Sequence, residues 1–411
     1  MSYTTPHYIY LKDGSLCNLD KRITKSGISL LAQLRTVTDP RSKQGRRHEL
    51  ALILFIVFAA SLRGSHTLKD AWLWAVYSRP LLARYFDLRH GIPDATTLSN
   101  VLALIEPDEL VSGYLCFVRQ LRIELGDVYS FDGKTMRAVP EEGSGARHIL
   151  SLFSHEHHVV VGQVAVAGKG REIPAFEALL TQGVANGVIA GSLLLGDALH
   201  TQKATCKLIL SAHADYLFSV KNNQRQLKRA ITTELAQYQT ADPTRLDVYC
   251  STDTSRGRTI TTSVTVLASG DSGAARELLP TLTGSNHWDG VAAIGLLHRT
   301  GTRLGKNGTV HAVDETIGFI SSRPLSAEHI ALHLHHHWCI ENNLHWVKDE
   351  VFGEDKHTLR KGHAPQVMSF LRSVAISICN GLRLRSITDT IRNLDKSSAL
   401  HRQFLQMAAI V

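Results

Sequence analysis

The sequence predicts an α/β protein: a mixed sheet covered by helices, a helical N-terminal region before it, and a β-rich insertion ahead of the last long helix. Three observations predict it. From about residue 26 to 120 apolar positions recur at helical spacing. From 121 three strands in series give way to alternating helix and strand, and between about 240 and 325 the helical period disappears among β-branched and turn-forming residues. With 411 residues, 44% apolar and 20% charged, the chain reads as a folded protein too long for one ordinary core, so two or three units are expected.

Residues 1–25 mix aromatic and polar positions without a period and read as a loosely held arm. The segment 26–120 holds SGISLLAQLRTV, the basic turn DPRSKQGRRHE, the apolar run LALILFIVFAASL, TLKDAWLWAVYSRPLLARYF and DATTLSNVLALI. The apolar run at 50–62 is shorter than the roughly 20 residues that span a bilayer, so it reads as a buried helix and no membrane partner is expected. Pro93 and the stretch Asp94 to Thr97 mark a helix start. Short helices with basic joints suit a DNA-binding unit, and PDATTLSNVL reads either as a groove-entering helix or as plain scaffold.

The first part of the catalytic core is expected over 121–239. VYSFD is a strand, HILSLFSHEHHVVVGQVAVAG two strands joined around His155 to His158, and IPAFEALLTQGV a helix. GSLLLGDAL is an apolar strand ending in Asp197, followed by the helix TQKATCKLILSAH, the strand ADYLFSVK and the basic helix NQRQLKRAITTELAQY. The β-rich insertion is expected over 240–325. Its turns SRGR, with Arg256 and Arg258, and LGKNG, Leu304 to Gly308, are phosphate-contacting candidates or simply solvated turns. The second part of the core, 326–390, opens with SAEHIALHLHHHWCIENNLHWVKDEVF as one long helix, and 391–411 is a C-terminal tail.

Lys and Arg outnumber Asp and Glu by 45 to 37, and 22 His add partial charge at mildly acidic pH, which favours a polyanionic partner. The six cysteines are scattered, with no CxxC pair and no secretory leader, so they read as reduced, mostly buried thiols of a cytosolic protein.

Asp132 and Asp197 each end an apolar strand, where ligands collect in sheets flanked by helices. Two carboxylates brought together repel unless they share a proton or a cation, and open oxygen sites suit Mg²⁺ beside a phosphate substrate. Glu341 is the third candidate. On a continuous helix it shares a face with His337, His345 and Lys348, groups that can hold a nucleic-acid backbone, while Trp338 and Trp346 are expected to anchor the helix in the core, with base stacking as the alternative. The run HLHHHW does not read as a zinc site, because its four histidines point around more than half the helix. No local motif supports a Ser or Cys nucleophile.

FDGKT, GDALHTQ, KNNQ and above all HWCIENNLHWVKDEVFGED resemble the transposases of the H-repeat-associated group of bacterial insertion sequences, and DPRSKQGRRHELALILFIVFAASLRG resembles that group's helical leader. The resemblance implies a ribonuclease-H-like catalytic domain whose metal site is Asp132, Asp197 and Glu341. It implies two Mg²⁺ ions, with Mn²⁺ as a substitute, activating a water and later a DNA 3′-hydroxyl for in-line phosphoryl transfer. The implied partners are double-stranded DNA, as transposon ends and target, and a second copy of the chain, since two ends are joined. No small-molecule substrate is implied, and the setting is the bacterial cytoplasm at the nucleoid.

Lys221, Asn223 and Gln224 match the group's Lys-x-Asn-Gln stretch, with Asn222 in place of the usual Gly. In the wider class the acid-bearing helix carries a Tyr, Arg, Glu, Lys pattern. Here Leu334 stands at the Tyr position, His337 at the Arg position and Lys348 at the Lys position, and His335 stands where an arginine is common. Lys134, Arg137, Lys221 and Lys348 are expected to position phosphates. Trp288 either stacks on a displaced base or is an ordinary buried tryptophan. The alternatives are a domesticated DNA-binding protein that keeps the fold without moving DNA, and a nuclease without strand transfer.

Overall fold

Every side chain from Leu50 to Ser61 is buried, as the unbroken apolar run requires, and that helix forms part of one of two compact units. The computed structural model describes residues 29–120, 126–137, 139, 147–166, 172–255, 257–269, 279, 280, 282, 286–305, 307, 309–382 and 384–407. The expected arm at 1–25, Arg256 of the SRGR turn, and Lys306 and Gly308 of the LGKNG turn lie outside them.

The helices are α1 Leu30–Leu34, α2 Leu50–Ser61, α3 Leu68–Tyr77, α4 Arg79–Leu82, α5 Ala95–Leu102, α6 Pro107–Gln120, α7 Glu172–Ala185, α8 Lys203–Ser211, α9 Arg225–Ala241, α10 Ala327–His337, α11 Trp346–Glu350, α12 Ala364–Gly381, α13 Ile387–Lys396 and α14 Ser398–Met407. The strands are β1 Val128–Thr135, β2 His148–Ser154, β3 Val160–Val166, β4 Leu193–Gly196, β5 Asp215–Val220, β6 Leu246–Ser255, β7 Arg258–Ala268, β8 Ala293–Leu304 and β9 Val310–Ser321. They form one mixed sheet in the order β3-β2-β1-β4-β5-β9-β8-β7-β6. β1, β4 and β5 are parallel neighbours, while β2 with β3 and the run from β5 through β9 to β6 are antiparallel. The fold is the mixed sheet flanked by helices that the sequence predicts, in the ribonuclease-H-like class. The β-rich stretch is not a separate layer, because β9 hydrogen-bonds directly to β5 and prolongs the sheet.

One unit comprises residues 1–126, 133–186 and 340–411. Its centre is α12, buried on all sides from Ala364 to Cys379 and packed on α2, α5, α6 and β3. Two of its buried polar side chains are paired, Ser373 donating to the Ser369 carbonyl at 3.0 Å and Ser377 accepting from the Val160 amide at 3.0 Å. Among the described residues no helix is long and apolar enough to cross a membrane. The other unit comprises residues 127–132 and 187–339. There α8 packs on β5, α9 on β8, β6 and β9, and α10 on β4, β6 and β7, around Leu193, Leu195, Leu217, Val264, Leu297 and Phe319.

Two expectations are corrected. The segment 326–352 is not one helix: α10 stops at His337 and Glu341–His345 forms a π turn before α11. Nor are the cysteines mostly buried. Cys206 and Cys379 are, but Cys116 and Cys250 are exposed and Cys339 is half-buried; Cys17 lies outside the described residues.

Candidate metal centre

The β1–β4 register gives the two aspartates the same offset. The pairs Val128–Leu193, Tyr129–Leu194 and Ser130–Leu195 hold an offset of 65 residues (193 − 128), the offset between Asp132 and Asp197 (197 − 132). The ladder ends at Ser130–Leu195, and each acid follows that last pair by two residues. Asp132 and Asp197 are both half-buried. One face of the sheet carries Val128, Leu193, Leu195 and Leu217 under Ile330, Ala331 and Leu334 of α10.

His337, the last residue of α10, reaches Ser130, where its Nδ1 lies 3.0 Å from Oγ. Ser130 is two residues before Asp132 and points to the same side of the strand. Burial lowers the His337 pKa, and His200 and Lys221 act in the same direction; Asp132 and Asp197 pull it back up. All four charged groups therefore act on His337, the last residue of α10.

The loop after β4 is tied down from several sides. Asp197 caps the turn Ala198–His200, its Oδ1 accepting from the amides of Leu199 and His200 at 3.0 and 3.3 Å. Thr201 donates to the Ser219 carbonyl at 2.6 Å. Asn223 donates to the Ala198 carbonyl, and Gln224 to that of Thr201 at 2.9 Å. Their side-chain amides thus brace the Asp197 loop, a role the Lys-x-Asn-Gln stretch did not disclose. His200 is buried against Phe131, ring centroids 4.8 Å apart. Sequence reasoning passed over His200 and Ser130; the only signal for them was their closeness to the two acids.

The fit to a hard divalent cation rests on the chemistry of the donors: two half-buried carboxylates that follow the last β1–β4 pair by two residues each and that both act on His337. Among the described residues, no group of three or more His, Cys, Asp or Glu is gathered as a metal cluster. Glu341 opens the π turn of the first unit and is exposed. The π turn gives His337, Glu341, His345 and Lys348 a different phase from the single helix expected.

Lys134 and Lys348 differ from their expected phosphate-binding role, because both are buried against carboxylates. Lys134 Nζ lies 2.7 Å from Asp349 Oδ1, 3.6 Å from Asp355 Oδ1 and 3.9 Å from Glu354 Oε2. Lys348, 1% exposed, donates to Ser369 Oγ at 2.9 Å, and burial pulls its pKa down to about 8. Arg137 is exposed, its Nε 3.5 Å from Asp355 Oδ2. Lys221, beyond the end of β5, and Arg258, opening β7, are exposed, and His345 is half-buried.

The tryptophans reverse expectation in part. Trp338 and Trp346 are 36% and 56% exposed rather than core anchors, and Arg299 lies over the Trp338 ring at 4.4 Å. Trp288 is buried, with Lys203 Nζ 5.8 Å from its ring.

Comparison with known proteins agrees with this architecture. Residues 124–378 match the family model described as "Transposase DDE domain", and residues 31–118 the one described as "DDE_Tnp_1-associated". The chain is 28% identical over 383 residues to "Putative protein YbfL" of Escherichia coli (strain K12), covering 92% of this chain and 96% of that one. It is 27% identical over 383 residues to "H repeat-associated putative transposase YhhI" of the same strain, with the same coverage of both chains. A shorter relative, "Putative transposase YncI" of that strain, is 31% identical over 205 residues, 49% of this chain and 81% of its own. The family implies a DNA substrate and dependence on divalent metal in general. A mixed sheet flanked by helices and a family match over more than half the length lead to one conclusion: the chain belongs to the DDE transposase family.

Proposed function

We propose that this chain cleaves DNA at the ends of an insertion sequence and joins those ends to a target, using Mg²⁺ held by Asp132, Asp197 and Glu341. The observation that supports the reading is the parallel pairing of β1 with β4, beyond whose last pair Asp132 and Asp197 follow at equal distance along the chain. Glu341 is assigned as the third ligand from the Ile-Glu-Asn motif that it shares with the family. Two Mg²⁺ ions, or Mn²⁺ in their place, would supply activation of a water or DNA 3′-hydroxyl and charge neutralisation at the leaving oxygen.

The protein supplies position and charge. Asp197 is fixed by its own capping bonds and by the Asn223 and Gln224 braces, so it is preorganised before any cation arrives. His337, kept neutral by burial and pinned to Ser130, buttresses Asp132 without adding a competing positive charge. Lys221, and Arg258 on the β-rich extension, are exposed where a phosphate backbone can approach, and Arg137 lies near the end of β1. His345 is assigned a weaker backbone contact. No protein nucleophile is required, and two ends to be joined call for two copies of the chain.

Asp132→Asn, Asp197→Asn and Glu341→Gln are each expected to abolish Mg²⁺-dependent cleavage and joining of a duplex carrying the DNA that flanks the gene. Binding of that duplex should stay within a few-fold and weaken steeply with salt. Normal cleavage by any of the three variants removes that residue from the site. Wild-type protein that binds the duplex and never cuts it would favour a domesticated DNA-binding role instead.

A further inference from the structure

The first unit gathers six charged side chains that the reading above does not use, four of them buried and two, Asp349 and Asp355, partly exposed. Glu354 is 0% exposed, with Oε1 3.7 Å from Arg372 Nη1 and Oε2 3.9 Å from Lys134 Nζ. Burial alone would push its carboxyl up, but Lys348, Arg372 and Lys134 outweigh that and hold it below the ordinary value. Asp349 and Asp355 complete the set at 2.7 and 3.6 Å from the Lys134 ammonium. The network thus balances three cations with three carboxylates. The chain reaches Glu354 through Gly353, at φ 59°, where a Cβ would fall 2.2 Å from His66 Nδ1. The sharp turn into the cluster therefore depends on glycine.

Such a cluster is a poor way to gain stability, since apolar side chains of the same volume do as well or better once desolvation is counted. What it does provide is a fixed geometry between three segments. Lys134 is the next-to-last residue of β1, two residues beyond Asp132; Lys348 and Asp349 lie on α11, which starts five residues after Glu341 (346 − 341); Arg372 and Ser369 belong to the buried α12. The shortest link, Lys134 to Asp349, joins the first two directly.

We infer that Glu354, Lys134 and Asp349 are positioning residues: they fix the helix that follows Glu341 to the β1 segment Gly133–Thr135 of the same unit, and so hold in place the segment that carries the Glu341 carboxylate. The inference rests on the reading of Asp132, Asp197 and Glu341 as metal ligands. It reassigns Lys134 from phosphate binding to a structural pairing on which catalysis depends.

The test uses the full chain bound to end-containing duplex DNA, with Asp349→Asn, Lys134→Met and the double variant. Asp349 is 31% exposed, which makes its amide variant the one expected to fold normally. Three quantities are measured: Mn²⁺ affinity by electron paramagnetic resonance, amide hydrogen exchange over residues 341–350, and the urea midpoint. Each single variant should weaken Mn²⁺ binding roughly tenfold, the scale seen when supporting partners of metal ligands are removed. Exchange over 341–350 should accelerate while the urea midpoint of Asp349→Asn stays near wild type. The double variant should be no worse than the worse single one, because both act through one contact. Unchanged exchange, unchanged Mn²⁺ affinity or additive losses in the double variant each overturn the inference. Wild-type complex that binds no Mn²⁺ sinks the metal-site reading itself, and the inference with it.

Discussion

Gly196 stands directly before Asp197 with aromatic rings where a side chain would be. A Cβ there would lie 2.7 Å from Phe131 Cζ and 2.9 Å from Phe218 Cε1. Gly196→Ala must displace a ring, and is expected to cost about 1–3 kcal/mol of stability. It should also cut cleavage more than binding, since the shift falls on the neighbouring acid; urea melts with parallel cleavage and binding assays check this. At this scale the strand ends that carry Asp132 and Asp197 were legible, because an apolar run that stops at a carboxylate marks where a buried strand reaches a more open setting. Lys134 and Lys348 were not. A lysine reads the same whether it meets a phosphate or a buried acid, and Glu354 and Asp355, which decide the matter for Lys134, lie more than 200 residues further along the chain (354 − 134). Trp338 misled for a related reason: the expected burial is replaced by half-exposed stacking with Arg299, contributed by a distant strand.

Elements were easier to read than the joints between them. The strand segments and most helices lie where alternation and helical period put them, because both patterns are local. The pairing of β9 with β5 is not local, so a stretch that reads as an insertion proves to extend the sheet. The π turn was hidden too: one extra residue in a turn leaves the apolar pattern on either side intact. α10 carries His337 to the acid pair, and its start is held by two side chains. Ser326 Oγ accepts from the His329 amide at 3.3 Å, and Asp247 Oδ2 from the Ala327 amide at 2.7 Å. Ser326→Ala is expected to lower stability by about 1 kcal/mol, the usual value of such a cap, read from the shift of the urea midpoint.

Across the whole molecule, buried histidines set the response to acid. Burial lowers the pKa of His401 to about 3, and those of His357 and His333 to about 4. In the unfolded chain these rings take up protons near pH 6.5, while in the folded protein they stay neutral until far lower. Their contribution is therefore complete above pH 6.5 and is lost progressively as pH falls toward 4, on the order of 3 kcal/mol for His357 alone. Urea midpoints should be level from pH 7 to 8 and drop between pH 6.5 and 4. His401→Phe, replacing a buried ring set edge-on to Trp74, should flatten part of that drop.

The alignment of β1 with β4 also bears on how the protein is made. Side chains alternate along a strand, so pairing these two strands out of step by a single position would turn one aspartate to the opposite surface of the sheet. Such a misassembled molecule would retain its backbone ladder and much of its compactness, yet, on the metal site proposed above, be inert. Turnover per mole, rather than the yield of well-behaved material, is then the proper gauge of a correctly folded preparation.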